Sequence, residues 1–277
     1  MAIILDGKKL REKILEQLKI KIDGFYRKPS LVVILAGDNP ASKIYVNNKK
    51  KVADRIGINS QIINYPSNVS EEELLNKIKE LNENSGVDAI LVQLPLPDGI
   101  SKENIINAIS PEKDVDGFTP YNFGRLFSGE EPNVYPCTPK GVLLLLKEYN
   151  IELEGKHAVV IGRSNIVGKP MAQMLLNNNA TVTVCHSYTK DLAQILKTAD
   201  IVVSAVGKNI VNGDMLKQGC VVVDVGIFKD ENGKTRGDVD FDSASKNAAY
   251  ISPVPGGVGP MTITSLMLNT VELYEKG

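Results

Sequence analysis

Short apolar runs alternate with longer stretches of helical period along most of the chain. Residues 30–37 (SLVVILAG) read as a buried strand, followed by a helix over about 41–56 and a second strand over 61–65. Ser70 and Glu73 form a capping box, in which each side chain satisfies a backbone donor at the start of the next helix. That helix runs to about Asn84 with Leu74, Ile78 and Leu81 on one face. Residues 89–94 read as a third strand, ended by Pro95 and Pro97. The pattern then restarts: a helix over 138–149 opened by Thr138 and Pro139, a strand over 158–161, a helix over 169–177, a strand over 181–185 and a helix over 191–197. Two more apolar strands cover 201–206 and 221–225. A final amphipathic helix covers 262–276, with Ile263, Leu266, Met267 and Leu273 as its packing residues.

Strands of this length separated by helices predict parallel sheets covered on both faces. The fold class expected is α/β, in two α/β domains. The second is a Rossmann-type doubly wound parallel sheet, and a cleft lies between the two. The polar, Gly/Pro-containing stretch 128–136 marks the division. The expected domains are residues 1–135 plus 263–277, and residues 136–262, with the final helix returning to the first domain.

Composition narrows the function classes. The 277 residues include 43% hydrophobic and 23% charged, with a formal net charge of −1 and a pI near 6.2. That balance gives no electrostatic footprint for nucleic acid or an anionic membrane. Cys137, Cys185 and Cys220 are odd in number and far apart. They form neither a disulfide framework nor a CxxC metal spacing, which points to a reducing compartment. His157 and His186 lie too far apart for Hx3–5H pairing, and no metal is expected. The N-terminus turns charged too soon for a signal peptide, and no apolar run approaches a membrane span. The expected location is cytoplasmic.

Two stretches carry candidate chemistry. The strand at 158–161 runs directly into Gly162-Arg163-Ser164-Asn165-Ile166-Val167-Gly168 and then a helix. This is the context of a dinucleotide-binding loop, where glycines admit close backbone approach and a helix N-terminus favours phosphate. Ser164 stands where G-x-G-x-x-G has its second glycine, and a plain βα turn shares this spacing. No acid follows the second strand, which exits through Cys185-His186-Ser187, so nothing there would hold a bare ribose. A cation and a hydroxyl at Arg163 and Ser164 suit a 2′-phosphate, favouring NADP over NAD. In the first domain, Tyr45 and Lys49 are four residues apart and stack on one helical face. Lys49 to Lys51 also read as a solvated basic face, the commoner origin of a lysine run. Gln93 stands at the mouth of the third strand, where it can reach a neighbouring lysine or simply cap the strand. Asp114 and Asp116 lie in a turn-rich loop that turn chemistry alone would also explain.

Taken together and in order, SKIYVNNKKKVADRIGI from Ser42, LVQLPLP from Leu91, PEKDVDGF from Pro111, PCTPKG from Pro136, GRSNIVGKP from Gly162, CHS from Cys185 and PVPGGVGPMT from Pro253 resemble the bifunctional methylenetetrahydrofolate dehydrogenase/methenyltetrahydrofolate cyclohydrolase family along essentially the whole chain. The resemblance implies oxidation of 5,10-methylenetetrahydrofolate with NADP, then hydrolysis to 10-formyltetrahydrofolate. It implies that Tyr45 stacks on the folate ring, that Lys49 is the catalytic group of hydrolysis, that Gln93 tunes it, and that Asp116 anchors the pterin end. It places Gly162, Arg163, Ser164, Gly168 and Ser187 on the cofactor, with Arg163, Ser164 and Ser187 at the 2′-phosphate. It places Pro255, Gly256 and Gly257, in a loop running to Thr262, beside the substrate. The expected partners are tetrahydrofolate derivatives and a second copy of the chain in a homodimer, in one-carbon metabolism and purine biosynthesis. Another two-domain NADP dehydrogenase, such as a shikimate-dehydrogenase-like enzyme, and a non-catalytic folate- or dinucleotide-binding protein are the alternatives.

Overall fold

The structure, a computed structural model, describes residues 2–277. In chain order its elements are β1 (Ile3–Ile4), α1 (Gly7–Asp23), β2 (Ser30–Ala36), α2 (Pro40–Ile56), β3 (Asn59–Tyr65), α3 (Glu71–Glu83), β4 (Ala89–Val92), α4 (Lys102–Ala108), α5 (Pro120–Phe127) and α6 (Cys137–Glu148). They continue with β5 (His157–Ile161), α7 (Gly168–Asn177), β6 (Thr181–Cys185), α8 (Leu192–Leu196), β7 (Ile201–Ser204), a 3-10 turn at Gly213–Met215, β8 (Val221–Asp224), β9 (Phe228–Lys229), β10 (Thr235–Arg236), α9 (Phe241–Ala244), β11 (Tyr250–Ile251) and α10 (Val258–Lys276). The chain forms two compact units. One comprises Lys13–Cys137 and Ser265–Gly277, the other Thr138–Thr264 and the segment ending at Glu12.

The first unit is built on a three-stranded parallel sheet of order β3-β2-β4. All seven residues of β2 are buried, because helices cover both faces of a parallel sheet. Alternate residues Val32 and Ile34 pack with Leu74 and Ile78 of α3 and Ile105 of α4. The intervening Leu31 and Val33 are equally inaccessible. Because β3 and β4 flank β2 on opposite sides, the strand order reverses between β2 and β4. Open α/β sheets take ligands at the carboxyl end of such a reversal. The capping box at the head of α3 is present, with Glu73 N donating to Ser70 Oγ and Ser70 N to Glu73, both at 3.1 Å.

The second unit carries a six-stranded parallel sheet of order β1-β11-β8-β7-β5-β6. Its valines at 159, 160, 202, 203, 222 and 223 have no exposed surface, and the strand order reverses between β5 and β7. The first residues of the chain belong here rather than with residues 13–135. Ile3 and Ile4 pair in parallel with Tyr250 and Ile251, a two-residue match too short to show any period. The remaining divisions fall at 137/138 and 264/265 instead of 135/136 and 262/263. The last helix also starts four residues early, at Val258, so the expected Gly256–Thr262 loop is a two-glycine turn followed by helix.

Two buried aspartates tie the carboxyl ends of this second sheet together. Asp224 accepts from the backbone amides of Gly226 (3.0 Å), Asp238 (2.9 Å) and Val239 (2.9 Å). Asp238 accepts from the Ser204 hydroxyl (2.8 Å) and the amides of Val206 (2.7 Å) and Lys208 (2.8 Å). The interlock leaves no room for side chains: a Cβ on Gly226 would lie 1.8 Å from Asp238, and one on Gly237 would lie 2.0 Å from Asp224.

Burial pushes the Asp224 carboxyl up to about 7, against the opposing pull of its three amide donors. An acid whose folded pKa is raised binds its proton more tightly folded than unfolded. Its contribution is therefore fully present below about pH 4 and is lost as pH rises to about 7, by at most about 4 kcal/mol. Chemical denaturation of wild type and Asp224→Asn across pH 5 to 8 checks this. The wild type should lose stability with rising pH, and the variant, less stable at pH 5, should show a flatter dependence.

Candidate functional site

Helix α2 is set by its ends. Asn39 accepts from the amides of Ala41 (2.9 Å) and Ser42 (3.1 Å), Pro40 occupies the first turn, and Gly57 closes the helix at φ 90°. Val46, Val52, Ala53 and Ile56 are buried, which fixes the rotation of the helix. Tyr45 is left 48% exposed and Lys49 half-buried. The Lys49 ammonium donates to Gln93 Oε1 at 3.0 Å, and Gln93 Nε2 donates to the Leu94 carbonyl at 2.7 Å. With the Gln93 amide nitrogen also bonded to Ile34 O at 2.9 Å, the glutamine is held at the carboxyl end of the sheet, where the strand order reverses. Lys50 goes elsewhere, donating to Asp54 (3.1 Å) and to the Ser60 carbonyl (2.9 Å).

The two aspartates of the DVDG segment have different work. Its backbone lies beside β4, with Ile90 N donating to Lys113 O at 2.8 Å. Asp114 is a structural acceptor, taking bonds from Thr119 N (2.7 Å) and Asn122 Nδ2 (3.0 Å). Lys113 closes the end of α3 by donating to the carbonyls of Leu81, Asn82 and Asn84 at 2.7–3.0 Å, and burial pulls its ammonium down. Asp116 is the carboxylate left for chemistry. Loss of hydration pushes its pKa up, the Lys49 charge opposes that rise, Asp114 adds to it, and a hydrogen bond from Cys137 opposes it. Tyr45, Lys49, Gln93 and Asp116 thus lie in one unit, and Lys49 is joined to Gln93 directly and to Asp116 electrostatically.

In the other unit the glycine loop follows β5 at the reversal of strand order. Gly162 adopts φ +118°, and a Cβ there would lie 2.6 Å from Ala205 O, beyond the end of β7. A Cβ on Gly168 would lie 2.2 Å from Gly162 O. Loop and helix therefore approach within a distance that only glycine permits. Ser164 differs from expectation: its hydroxyl oxygen accepts from the amides of Val167 (3.2 Å) and Gly168 (3.3 Å), bracing the loop, and only its hydrogen is left to donate outward. Arg163 is exposed, its guanidinium 5.7 Å from the centre of the Tyr188 ring. That places a cation at the exit of β6, where Ser187 is also exposed. Pro255 is exposed, while Gly256 and Gly257 are buried in a turn clasped by the start of α1: Lys8 N donates to Gly256 O at 3.2 Å. Pro255 also lines a cavity of about 900 Å³ under the β9–β10 hairpin.

Asp224, Asp238 and Tyr188 were not legible as contributors. Aspartates close to a glycine read as turn residues, and nothing in a tyrosine three residues past the strand announces a ring beside Arg163.

A doubly wound parallel sheet with a glycine loop at its switch point defines a dinucleotide-binding α/β protein, here with a second α/β unit that presents a lysine, a glutamine and a desolvated carboxylate. Residues 136–277 match the family model for the tetrahydrofolate dehydrogenase/cyclohydrolase NAD(P)-binding domain, and residues 5–116 match that for the catalytic domain. The chain is 53% identical to the bifunctional protein FolD of Hydrogenobaculum sp. over 275 residues, covering 99% of each. It superposes at TM-score 0.98 and 51% identity on the bifunctional methylenetetrahydrofolate dehydrogenase/cyclohydrolase of Campylobacter jejuni, covering 100% of this chain and 99% of that one. The Trypanosoma brucei enzyme, solved with NADP cofactor and inhibitor, matches at TM-score 0.94 and 40% identity, covering 99% and 98%. This chain belongs to the tetrahydrofolate dehydrogenase/cyclohydrolase family. Shikimate dehydrogenase of Aquifex aeolicus, at 16% identity, TM-score 0.52 and coverage of 87% and 97%, shares the fold alone.

The loop geometry predicts that Gly168→Ala pushes the Gly162–Arg163 peptide away from the start of α7 and costs about 1–3 kcal/mol. Gly124→Ala, on α5 with nothing within 4 Å of the new methyl, should raise stability by up to about 1 kcal/mol. Thermal melting of both variants checks the contrast.

Proposed function

We propose that this chain oxidises 5,10-methylenetetrahydrofolate to the 5,10-methenyl form with NADP and then hydrolyses that product to 10-formyltetrahydrofolate. The observation that carries the reading is the 3.0 Å bond between Lys49 and Gln93, with Asp116 in the same electrostatic neighbourhood. A solvated basic face would leave Lys49 to water, as Lys51 is left.

NADP fits the residues present, since the Gly162 and Gly168 cradle excludes any Cβ and Arg163 supplies a cation where an NAD site would have an acid. When bound, NADP supplies the nicotinamide that takes the hydride of the folate methylene carbon. Gly162, Ser164 and Gly168 shape the loop for the pyrophosphate, while Arg163 and Ser187 hold the 2′-phosphate. Tyr45 offers an exposed ring for the pterin to stack on, Asp116 accepts from its polar edge, and Pro255, Gly256 and Gly257 border the substrate. Orientation of this kind contributes roughly 7–11 kcal/mol to a two-reactant step. In hydrolysis, water adds to the methenyl carbon and releases one proton; its second proton passes to N5 as the bond from that carbon to N5 opens and the formyl C=O forms. Lys49 carries the released proton at Nζ, and Gln93 aims the ammonium.

The 10-formyl product is a one-carbon donor, which places the reaction in one-carbon metabolism and purine biosynthesis. Three buried thiols that form no disulfide support a reducing, cytoplasmic location, and the family resemblance supports a homodimer. The formal net charge of −1 supports neither a nucleic-acid nor a membrane partner.

Lys49→Met should slow hydrolysis by about 10²–10⁴-fold while folate binding stays measurable. Lys50→Met should be nearly silent, because its exposed pair with Asp54 is worth about 1 kcal/mol or less. Steady-state decay of the methenyl compound reads both, and equal losses would remove Lys49 from the chemistry. Arg163→Ala should raise the KM for NADP by about 10- to 100-fold, change kcat less, and leave NAD kinetics nearly unmoved. Initial rates with each cofactor measure this, and equal weakening of both cofactors would make Arg163 a structural or pyrophosphate contact.

A further inference from the structure

Strand β7 ends at Ser204, and the chain leaves the sheet through residues 205–208. This segment lies against the glycine loop. Ala205 N donates to Ile161 O at 2.8 Å, and a Cβ on Gly162 would stand 2.6 Å from Ala205 O and 3.4 Å from the Val206 side chain. Because the strand order reverses between β5 and β7, the loops that follow these two strands wall the crevice in which open α/β sheets take ligands. Val206 and Lys208 are exposed on the second wall.

A loop built of Val206, Gly207 at φ +70° and Lys208 has no ladder to hold its amides. Asp238, with no exposed surface of its own, reaches in from 30 residues beyond Lys208. One of its carboxylate oxygens accepts from the Ser204 hydroxyl and the Val206 amide, and the other accepts from the Lys208 amide. Its backbone carbonyl takes the amides of Ile210 (2.8 Å) and Val211 (3.1 Å), so a single residue fixes the chain from Ser204 to Val211. Three donors on two oxygens is a pattern that an amide side chain cannot meet. Whichever way an asparagine turned, its NH2 group would face a backbone N–H. A carboxylate serving only the core would bond to buried residues. Two of these three donors belong to residues exposed at the crevice, so the shape being fixed is that of the exposed wall.

We propose that Asp238 is a positioning residue for the dinucleotide, holding the loop after β7 beside Gly162 in the conformation that receives NADP. This rests on the reading of the Gly162 loop as the NADP site. Hydrogen bonds to an ionised acceptor are about twice as strong as neutral ones, which suits a loop that must be ordered before its ligand arrives. A loop without them loses conformational entropy at the moment of binding, and affinity falls accordingly.

Asp238→Asn and Ser204→Ala test this in the full-length protein, by backbone NMR relaxation without cofactor and by calorimetric titration with NADP. In wild type the order parameters at Val206 and Lys208 should be those of rigid backbone, about 0.85, and in Asp238→Asn they should fall towards about 0.6. Val202 and Val203, inside β7, should keep the rigid value in both. NADP binding should weaken by about three- to thirtyfold in Asp238→Asn. Ser204→Ala removes one donor of the three and should move both readings the same way by less. A loosened loop with unchanged NADP affinity, or a lost affinity with the loop still rigid, would show the proposal to be wrong. Equal loosening at Val202 and Val203 would also overturn it, because the sheet itself would then have given way. Should Asp238→Asn not fold, Ser204→Ala decides alone, and wild-type order and affinity in that variant count against the proposal. Wild-type protein that binds no NADP would instead refute the reading of the glycine loop and take the proposal with it.

Discussion

A parallel strand buried on both faces has no place along its length for a polar side chain. Every residue of β2, β4, β7 and β8 is buried, so these strands present polar chemistry where they end. In both units the strand order reverses beside the first strand of the βαβ series, and the backbone amides and carbonyls there are not consumed by a crossing connection. Gln93 and the DVDG segment stand at that edge in one unit, and the Gly162 loop stands at it in the other. The apolar cores thus determine where functional groups are available, before any of those groups is chosen.

What holds those groups still is a set of buried polar side chains directed at backbone. Asp114 accepts from Thr119, Lys113 closes α3, Asn269 bridges residues 115 and 135, and Asp224 with Asp238 bind six donors between them, five of them backbone amides. Each bond of this kind contributes modestly when made and costs more when one partner is removed. Such residues are therefore positional rather than catalytic, and they explain how a turn-rich segment presents Asp116 in a defined place. The same economy explains Ser164, whose oxygen braces the loop while its hydrogen stays available.

Much of this was legible in the sequence. The helical stack of Tyr45 and Lys49 and the position of Gln93 at a strand mouth follow from period and strand length, and their 3.0 Å contact joins two elements that the sequence separates by 44 residues. Period also locates β2 to β8 to within two residues at each end. Helix α1, absent from that reading, is nevertheless supported by the spacing of its buried Leu10, Leu15, Leu18 and Ile22. Strands β1 and β11 are two residues each, so their pairing, and with it the place of the N-terminal segment, carries no periodic signal. Asp114 and Asp116 are indistinguishable as letters. Only the neighbours brought by the fold separate a structural acceptor from a free carboxylate. Asn269 is illegible for the same reason, because an asparagine inside an apolar helix declares a partner without saying which.

The claim that one lysine-centred site and one glycine-loop site serve two consecutive reactions is tested most directly by product analysis with the wild-type enzyme. Purified protein is mixed with 5,10-methylenetetrahydrofolate and a limiting amount of NADP, and reduced cofactor, the methenyl compound and 10-formyltetrahydrofolate are quantified over time. The account predicts one 10-formyltetrahydrofolate for each NADP reduced, with the methenyl compound transient. Reduced cofactor accompanied by methenyl compound that decays no faster than in buffer would contradict the hydrolytic half, and no reduction of NADP would contradict the whole.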